Sequence, residues 1–342
     1  MTIFSPQCKG DCLVVAQALP QCENHPMTSS TLRPLLRPLA CTLALASLTA
    51  CSYMPQWASL KAFQHRGDAP STEALATPKE RSEVLLALTE DHTLVTVNAA
   101  QPGQLLGQVT LKGLTPGEKI LGMDFRVAKG QLFALSSTGR LLRIEPTTGQ
   151  ITPVGTGVAL PLGASWGVDF NPTVDRVRVV NDEGANLRLH PDTGAQVDGD
   201  AKTDGLQADG RLSYAAGDLL QGRVPRVTAA AYTYNKDNDK LTTNYAIDAA
   251  AGYLVVQGSV EGATPVVSPN TGLLQSVGPL LIDRFDQASF DISDVNNAAY
   301  LVTGRQGSVE SRLYEVDLGS GVARLIGSIG AGQQIRALAI VP

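Results

Sequence analysis

Three aspartates recur in one short frame of this sequence, as Gly122-Met-Asp124-Phe125, Gly167-Val-Asp169-Phe170 and Ser289-Phe-Asp291-Ile292. Ionised carboxylates offer acceptors only, so carboxylates brought together either gather a cation or accept hydrogen bonds where chain segments meet. Calcium, with its about six to eight oxygen ligands, is the cation such a group would take. Two further copies of the frame place Thr233 and Ala339 at the aspartate position, so the ring of charge is incomplete. Structural hydrogen bonding is therefore the expected role of Asp124, Asp169 and Asp291, with Ca2+ binding as the alternative.

Other residues gather chemistry more loosely. Arg176, Arg178 and Arg188 alternate with apolar residues on two expected neighbouring strands. Cross-strand spacing of about 5 Å would let guanidinium groups share a face and hold an anion. Ordinary pairing with Asp175, Asp182 or Glu183 is the expected role of these arginines, with an anion site as the alternative. Asn235, Asp237 and Asp239 offer oxygens on one loop and Asp198 and Asp200 on another, but neither loop has the glycine and closing glutamate of a calcium-binding helix–loop–helix. Asn and Asp also favour turns for local hydrogen bonding. Gly163-Ala-Ser165-Trp-Gly167 matches a hydrolase nucleophile pattern, which requires a strand before the serine and a helix after it. Here the serine precedes a strand, so no catalytic residue is assigned. Cys8, Cys12, Cys22 and His25 fit no standard zinc spacing.

The elements that position these residues come from a repeat. Each frame is followed by an apolar strand: Leu132 to Leu135, Val177 to Val180, Leu241 to Tyr245 and Ala299 to Val302. A third strand then arrives at Leu141 to Ile144, Leu187 to Leu189, Tyr253 to Val256 and Leu313 to Val316. A glycine-ended turn leads to a fourth, as in Pro146-Thr-Thr-Gly149, Pro191-Asp-Thr-Gly194, Pro269-Asn-Thr-Gly272 and Leu318-Gly-Ser-Gly321. Glycine belongs there because a tight turn often needs positive φ. Four-stranded units at such spacing are the signature of propeller blades. Val84 to Val97 lacks a first strand and Ile335 to Val341 reads as a first strand with nothing after it. The C-terminal strand is thus expected to complete the first blade and remove a free edge. The expectation is an all-β, five-bladed β-propeller over residues 84–342, or a six-bladed one if residues 195–227 hold another blade, with an open β-sandwich as the alternative.

Ahead of the repeat lies an address. Arg33 and Arg37, an apolar run from Leu39 to Leu48, and Leu48-Thr-Ala-Cys51 have signal-peptide architecture. The run is too short for a bilayer, which needs about 20 apolar residues. The motif resembles the lipobox of bacterial lipoproteins, which implies cleavage before Cys51 and acyl chains upon it. Several acyl chains anchor durably where one alone is marginal. Ser52 follows where an aspartate would resemble an inner-membrane retention signal, so the expected location is the outer membrane. Asp11, Glu23 and the early prolines sit awkwardly before such a signal, and Met27 is the expected start. Residues 1–51 are read as extension and signal, and residues 52–83, with Pro55, Pro70 and Pro78, as a flexible tether.

All five cysteines lie at or before residue 51, so the domain must be held by its apolar core alone. Without residues 1–51 the chain has 24 Lys plus Arg against 30 Asp plus Glu, a formal charge of −6. That balance excludes nucleic acid, which requires a basic footprint.

The runs Gly167-Val-Asp-Phe-Asn-Pro172, Arg176-Val-Arg-Val-Val180, Asn186-Leu-Arg-Leu189, Pro191-Asp-Thr-Gly194, Tyr214-Ala-Ala-Gly-Asp218 and Pro225-Arg-Val227 resemble a bacterial family, the domain of unknown function 4394. The resemblance covers nearly all of residues 84–342. It implies a secreted or surface-attached propeller-like domain and brings no active site. The expected function is a lipid-anchored envelope module that binds or scaffolds a protein or glycan. The alternative is a propeller hydrolase or lyase with a divalent metal in its channel.

Overall fold

The computed structural model describes residues 73–342, which form five small antiparallel sheets and two single 3-10 turns. The first sheet joins β1 (Val84–Thr89), β2 (Thr93–Asn98) and β3 (Leu105–Thr110) to β20 (Ile335–Ile340). The second comprises β4 (Ile120–Arg126), β5 (Gln131–Ser136), β6 (Leu141–Ile144) and β7 (Ile151–Val154). The third has three strands: β8 (Trp166–Asn171), β9 (Arg176–Asn181) and β10 (Asn186–Leu189). The fourth contains β12 (Val227–Tyr232), β13 (Asn244–Asp248), β14 (Tyr253–Gln257) and β15 (Leu273–Pro279), with the short β11 (Ser213–Tyr214) added in parallel to β15. The fifth is β16 (Gln287–Ile292), β17 (Ala299–Gly304), β18 (Ser311–Val316) and β19 (Ala323–Ser328).

The innermost strands touch in a closed cycle, β4 on β8, β8 on β12, β12 on β16, β16 on β20 and β20 on β4. This is a five-bladed β-propeller. Its closure is the one the chain ends implied, since β20 pairs antiparallel with β1 from Leu85↔Ile340 to Leu88↔Ala337. Residues 195–227 hold no sixth blade. They contribute only β11 and a bridge from Gln196 to Leu189 that stands where a fourth strand of blade 3 would lie.

Inside the ring, strand alternation separates two neighbours rather than core from solvent. On β5, Leu132 and Ala134 pack into the cluster shared with blade 1, while Phe133 and Leu135 pack into the cluster shared with blade 3. A blade covered on both faces therefore reads as a near-continuous apolar run. Exposure returns at the outer strands, as on β3, where Leu105 and Leu106 face solvent.

Turn glycines earn their place through backbone geometry. Gly149, Gly194, Gly272 and Gly321 all have positive φ, and a Cβ on Gly149 would lie 2.3 Å from the Thr110 carbonyl oxygen of the preceding blade. Gly167 is fixed by proximity instead. A Cβ there would meet Ala230 N at 2.6 Å and Val180 Cγ2 at 2.8 Å, where two inner strands approach. Gly167→Ala should lower the urea midpoint by an amount equivalent to about 3 kcal/mol, the upper end of the cost of overpacking. A midpoint unchanged from the parent would show that the inner ring is looser than described.

One boundary moves. The segment read as a tether over residues 52–83 is, from Glu73 onward, an ordered arm on blade 5. Leu325 N donates to Ala74 O at 2.9 Å and Ala76 N to Leu325 O at 2.8 Å, which adds a bridge to the edge of β19. Glu73 accepts from Arg312 Nη1 at 2.9 Å and Tyr314 OH at 3.0 Å, and Arg81 pairs with Glu315 at 2.7 Å. Buried carboxylates and an edge strand's unpaired backbone both demand such partners, and a prolyl, weakly periodic sequence does not advertise them. Cys51 and the rest of the proposed tether lie outside the described residues.

Candidate site on the propeller axis

Asp124, Asp169 and Asp291 sit near the ends of β4, β8 and β16, all buried, with one oxygen from each lying within 4.8 Å of the others. They form the sole cluster of three acidic or metal-ligating side chains among the described residues. Each aspartate reaches across a blade boundary. Phe170 N donates to Asp124 Oδ2 at 2.7 Å, Tyr232 N to Asp169 Oδ1 at 3.1 Å, and Ile340 N to Asp291 Oδ2 at 2.6 Å. Asp124 and Asp291 also accept the amides of Phe125 and Ile292.

These bonds correct the frame in blade 4. Tyr232 stands where Phe170 and Ile340 stand, so the residue equivalent to Asp169 is Ala231, not Thr233. Thr233 instead pairs with Thr243 beyond the end of β12. Tyr232 and Tyr234 both fit the aromatic spacing of the frame, so sequence alone leaves two registers here. The two non-acidic positions are therefore both alanine, Ala231 and Ala339, which leaves room at the axis for three larger neighbours.

Electrostatics follow from crowding. Burial, then the field of Asp291, pushes the Asp124 carboxyl well above the usual carboxylate range, although the Phe170 and Phe125 amides act against this. Burial, then Asp124 and Asp291, does the same to Asp169. Asp291 is raised to about 7 by burial, with Asp294 adding to it and the Ile340 and Ile292 amides opposing it. Tyr234, raised by burial and then by the fields of Asp124, Asp169, Asp291 and Asp294, marks the polar end of the same region. Such a group can hold protons at neutral pH, or exchange them for a cation.

The sign of the resulting pH dependence is definite. A carboxyl raised on folding contributes stability below its unfolded value, and that contribution is lost as pH rises through the folded value. For Asp291 the window runs from its ordinary 3.8 up to about 7. Shifted by roughly three units, one such group contributes about 4 kcal/mol at its limit. Glu118 and Asp192 are lowered by their arginine partners, Arg140 and Arg126, and withdraw stability at the acid end. Thermal melting should thus peak near pH ~4 and decline toward pH ~8. A melting temperature that climbs from pH 5 to pH 8 would contradict the buried, protonated cluster.

The remaining sites disperse. Arg178 and Arg188 are directly opposed across β9 and β10, and both bind Asp209, at 2.6 and 2.7 Å. Arg178 is 2% exposed and also donates to Asn186, Asn270 and Tyr232 OH. Arg176 stays apart, donating to the carbonyls of Val174 and Asp175. The anion expected at this face is thus a carboxylate of the protein itself, and not Asp175, Asp182 or Glu183. Asp175 serves Arg126, and Asp182 holds Arg226 and the amides of Ala164 and Ser165. Asp209 could not be chosen from sequence because it lies in the irregular segment after blade 3.

Asn235 folds its side chain back on its own loop, accepting from Asp237 N and Asn238 N, while Asp237 and Asp239 point into solvent. Ser165 precedes β8 with no helix after it, as its sequence context required. His92 and His190 lie in turns at the ends of β1 and β10.

A family model described as domain of unknown function (DUF4394) matches residues 93–339, which spans every blade. The chain belongs to this family. No curated protein is similar to it in sequence. Among solved structures, a chain of hydrazine synthase from Kuenenia stuttgartiensis is 13% identical with a TM-score of 0.34, covering 64% of this chain and 51% of its own. A protein of unknown function from Bacteroides thetaiotaomicron is 14% identical, TM-score 0.39, covering 74% of this chain and 59% of its own, and a protein from Lactobacillus plantarum is 18% identical, TM-score 0.35, covering 80% and 76%. This DUF4394 chain spans about half the length of the hydrazine synthase chain it matches.

Proposed function

We propose that this DUF4394 protein is a lipid-anchored module of the bacterial envelope, held through acyl chains on Cys51 in the outer membrane, that binds or scaffolds a protein or glycan through its propeller loops. The observation that carries this reading is how the axial aspartates are spent. Each is buried and accepts a backbone N–H of the next inner strand, which suits a rigid ring presenting variable loops. Fold alone does not select a ligand. The test is co-purification from gently solubilised, cross-linked cells of the host, with Cys51→Ser as control. A stoichiometric partner that depends on the anchor supports the proposal. Recovery of the protein alone in the membrane fraction would overturn it.

A second reading rests on the mutual approach of the three carboxylates within 4.8 Å. Two or three of them would bind Ca2+ at the axis, in the manner of a metal-dependent hydrolase or lyase. Calcium titration of the processed protein should then give heat and raise the melting temperature. Neither response would leave the structural role standing alone.

A further inference from the structure

Blade 4 carries a row of polar residues where a propeller face is otherwise apolar. Tyr232, Asn244 and Gln257 are directly opposed across β12, β13 and β14. Residues opposed in this way project from the same face, with Cβ atoms about 5 Å apart. Tyr232 accepts from Arg178 Nε and Gln257 Nε2 donates to Asn186 Oδ1, so the row faces the hub of blade 3.

Its middle is unsatisfied. Asn244 is 1% exposed, yet neither Oδ1 nor Nδ2 has a hydrogen-bond partner among the described residues, and the same holds for Oε1 of Gln257, which is 0% exposed. Burying an amide group without a partner costs on the order of 1–3 kcal/mol, and buried polar groups in folded proteins are satisfied by protein or by ordered water. Two acceptors and one double donor thus stand unpartnered on directly opposed residues of neighbouring strands. A cation borders the row, because Arg178 donates both to Tyr232 OH and to the Asn186 oxygen that Gln257 also reaches. A metal cation would be repelled there, and an anion would find one amide group to bind it. A molecule with two donors and two acceptors matches the inventory.

We infer that Asn244 and Gln257 form an internal binding site for ordered water, which accepts from Asn244 Nδ2, donates to Gln257 Oε1 or Asn244 Oδ1, and completes the polar hub joining blades 3 and 4. Asn186 extends that hub. It donates to the carbonyls of Gly210 and Pro269, and Gln257 donates to Pro269 as well. The site thus lies where blade 3 lacks a regular fourth strand, and water there serves as packing that the chain does not supply.

The inference is tested on the processed protein by water-to-amide cross-relaxation in NMR with asparagine side chains labelled, Asn244 being assigned by its loss in Asn244→Leu. A long-lived water contact to the Asn244 side-chain amide, weakened in Gln257→Leu while other asparagine signals stay in place, is the expected result. A crystal structure should show one or more ordered waters between the two side chains. Three outcomes would each overturn the inference: no water contact, a direct hydrogen bond between Asn244 and Gln257, or density for an ion.

Discussion

Replacing Arg178 by methionine should lower stability by about 3–5 kcal/mol, the cost of removing one partner from a buried charge network. The guanidinium is fully enclosed and ties Asp209, Asn186, Asn270 and Tyr232 into one unit across blades 3 and 4. Without it, Asp209 keeps Arg188, while the buried Asn186 and its partner Asn270 lose a charged donor. Lysine should rescue little, because a single ammonium cannot reproduce a planar fork that addresses four partners. Urea unfolding of the two variants checks this. A midpoint in Arg178→Met within error of the parent would mean that the hub contributes nothing beyond packing. Such a result is compatible with an apolar substitute only if Asp209 and the two asparagines find other partners.

The second large effect concerns the axis, and its pattern matters more than its size. Removing Asp124 with alanine strips acceptors from the amides of Phe170 and Phe125, each worth about 1–3 kcal/mol when left buried and unpaired. Asparagine distinguishes the three positions. Asp169 receives one amide on one oxygen, so Asp169→Asn keeps the acceptor and removes the charge. It should be neutral or stabilising at pH ~8 and should flatten the decline of stability as pH rises above the ordinary aspartate value. Asp124 and Asp291 each use both oxygens, so an NH2 group would face an N–H, and these asparagine variants should be destabilised by about 1–3 kcal/mol. Melting curves across pH for the three variants check the ranking. Equal losses at all three positions would contradict it.

Much of this architecture was legible from residues. The aspartate frame, the glycine-ended turns and the stray first strand at the C-terminus define the blades, because each unit repeats one local solution to the same packing problem. The contacts that the sequence does not show share a cause. Thr233 fits the aspartate frame because Tyr234 imitates the aromatic that follows it, and only a hydrogen bond from Tyr232 to the neighbouring blade fixes the register. Asp209 as partner of two arginines, and Glu73 as partner of Arg312 and Tyr314, are contacts between regular blades and irregular segments. No periodicity marks such segments, so their partners emerge only when the ring closes. The convergence of the three aspartates was legible as a position in a repeat, whereas their raised protonation depends on burial, which spacing does not report.

The charge state of the axial cluster separates a dry, hydrogen-bonded axis from an open channel. Carboxyl carbon NMR of the processed protein, with aspartate labelled and Asp124, Asp169 and Asp291 assigned by single substitution, measures it in one titration. At least one of the three should remain protonated at pH ~7 in the absence of divalent ions, with Asp291 titrating at about 7. If all three ionise below pH ~5, in the ordinary range for aspartate, the buried hydrogen-bonding core described here is wrong and the axis is an open, hydrated channel.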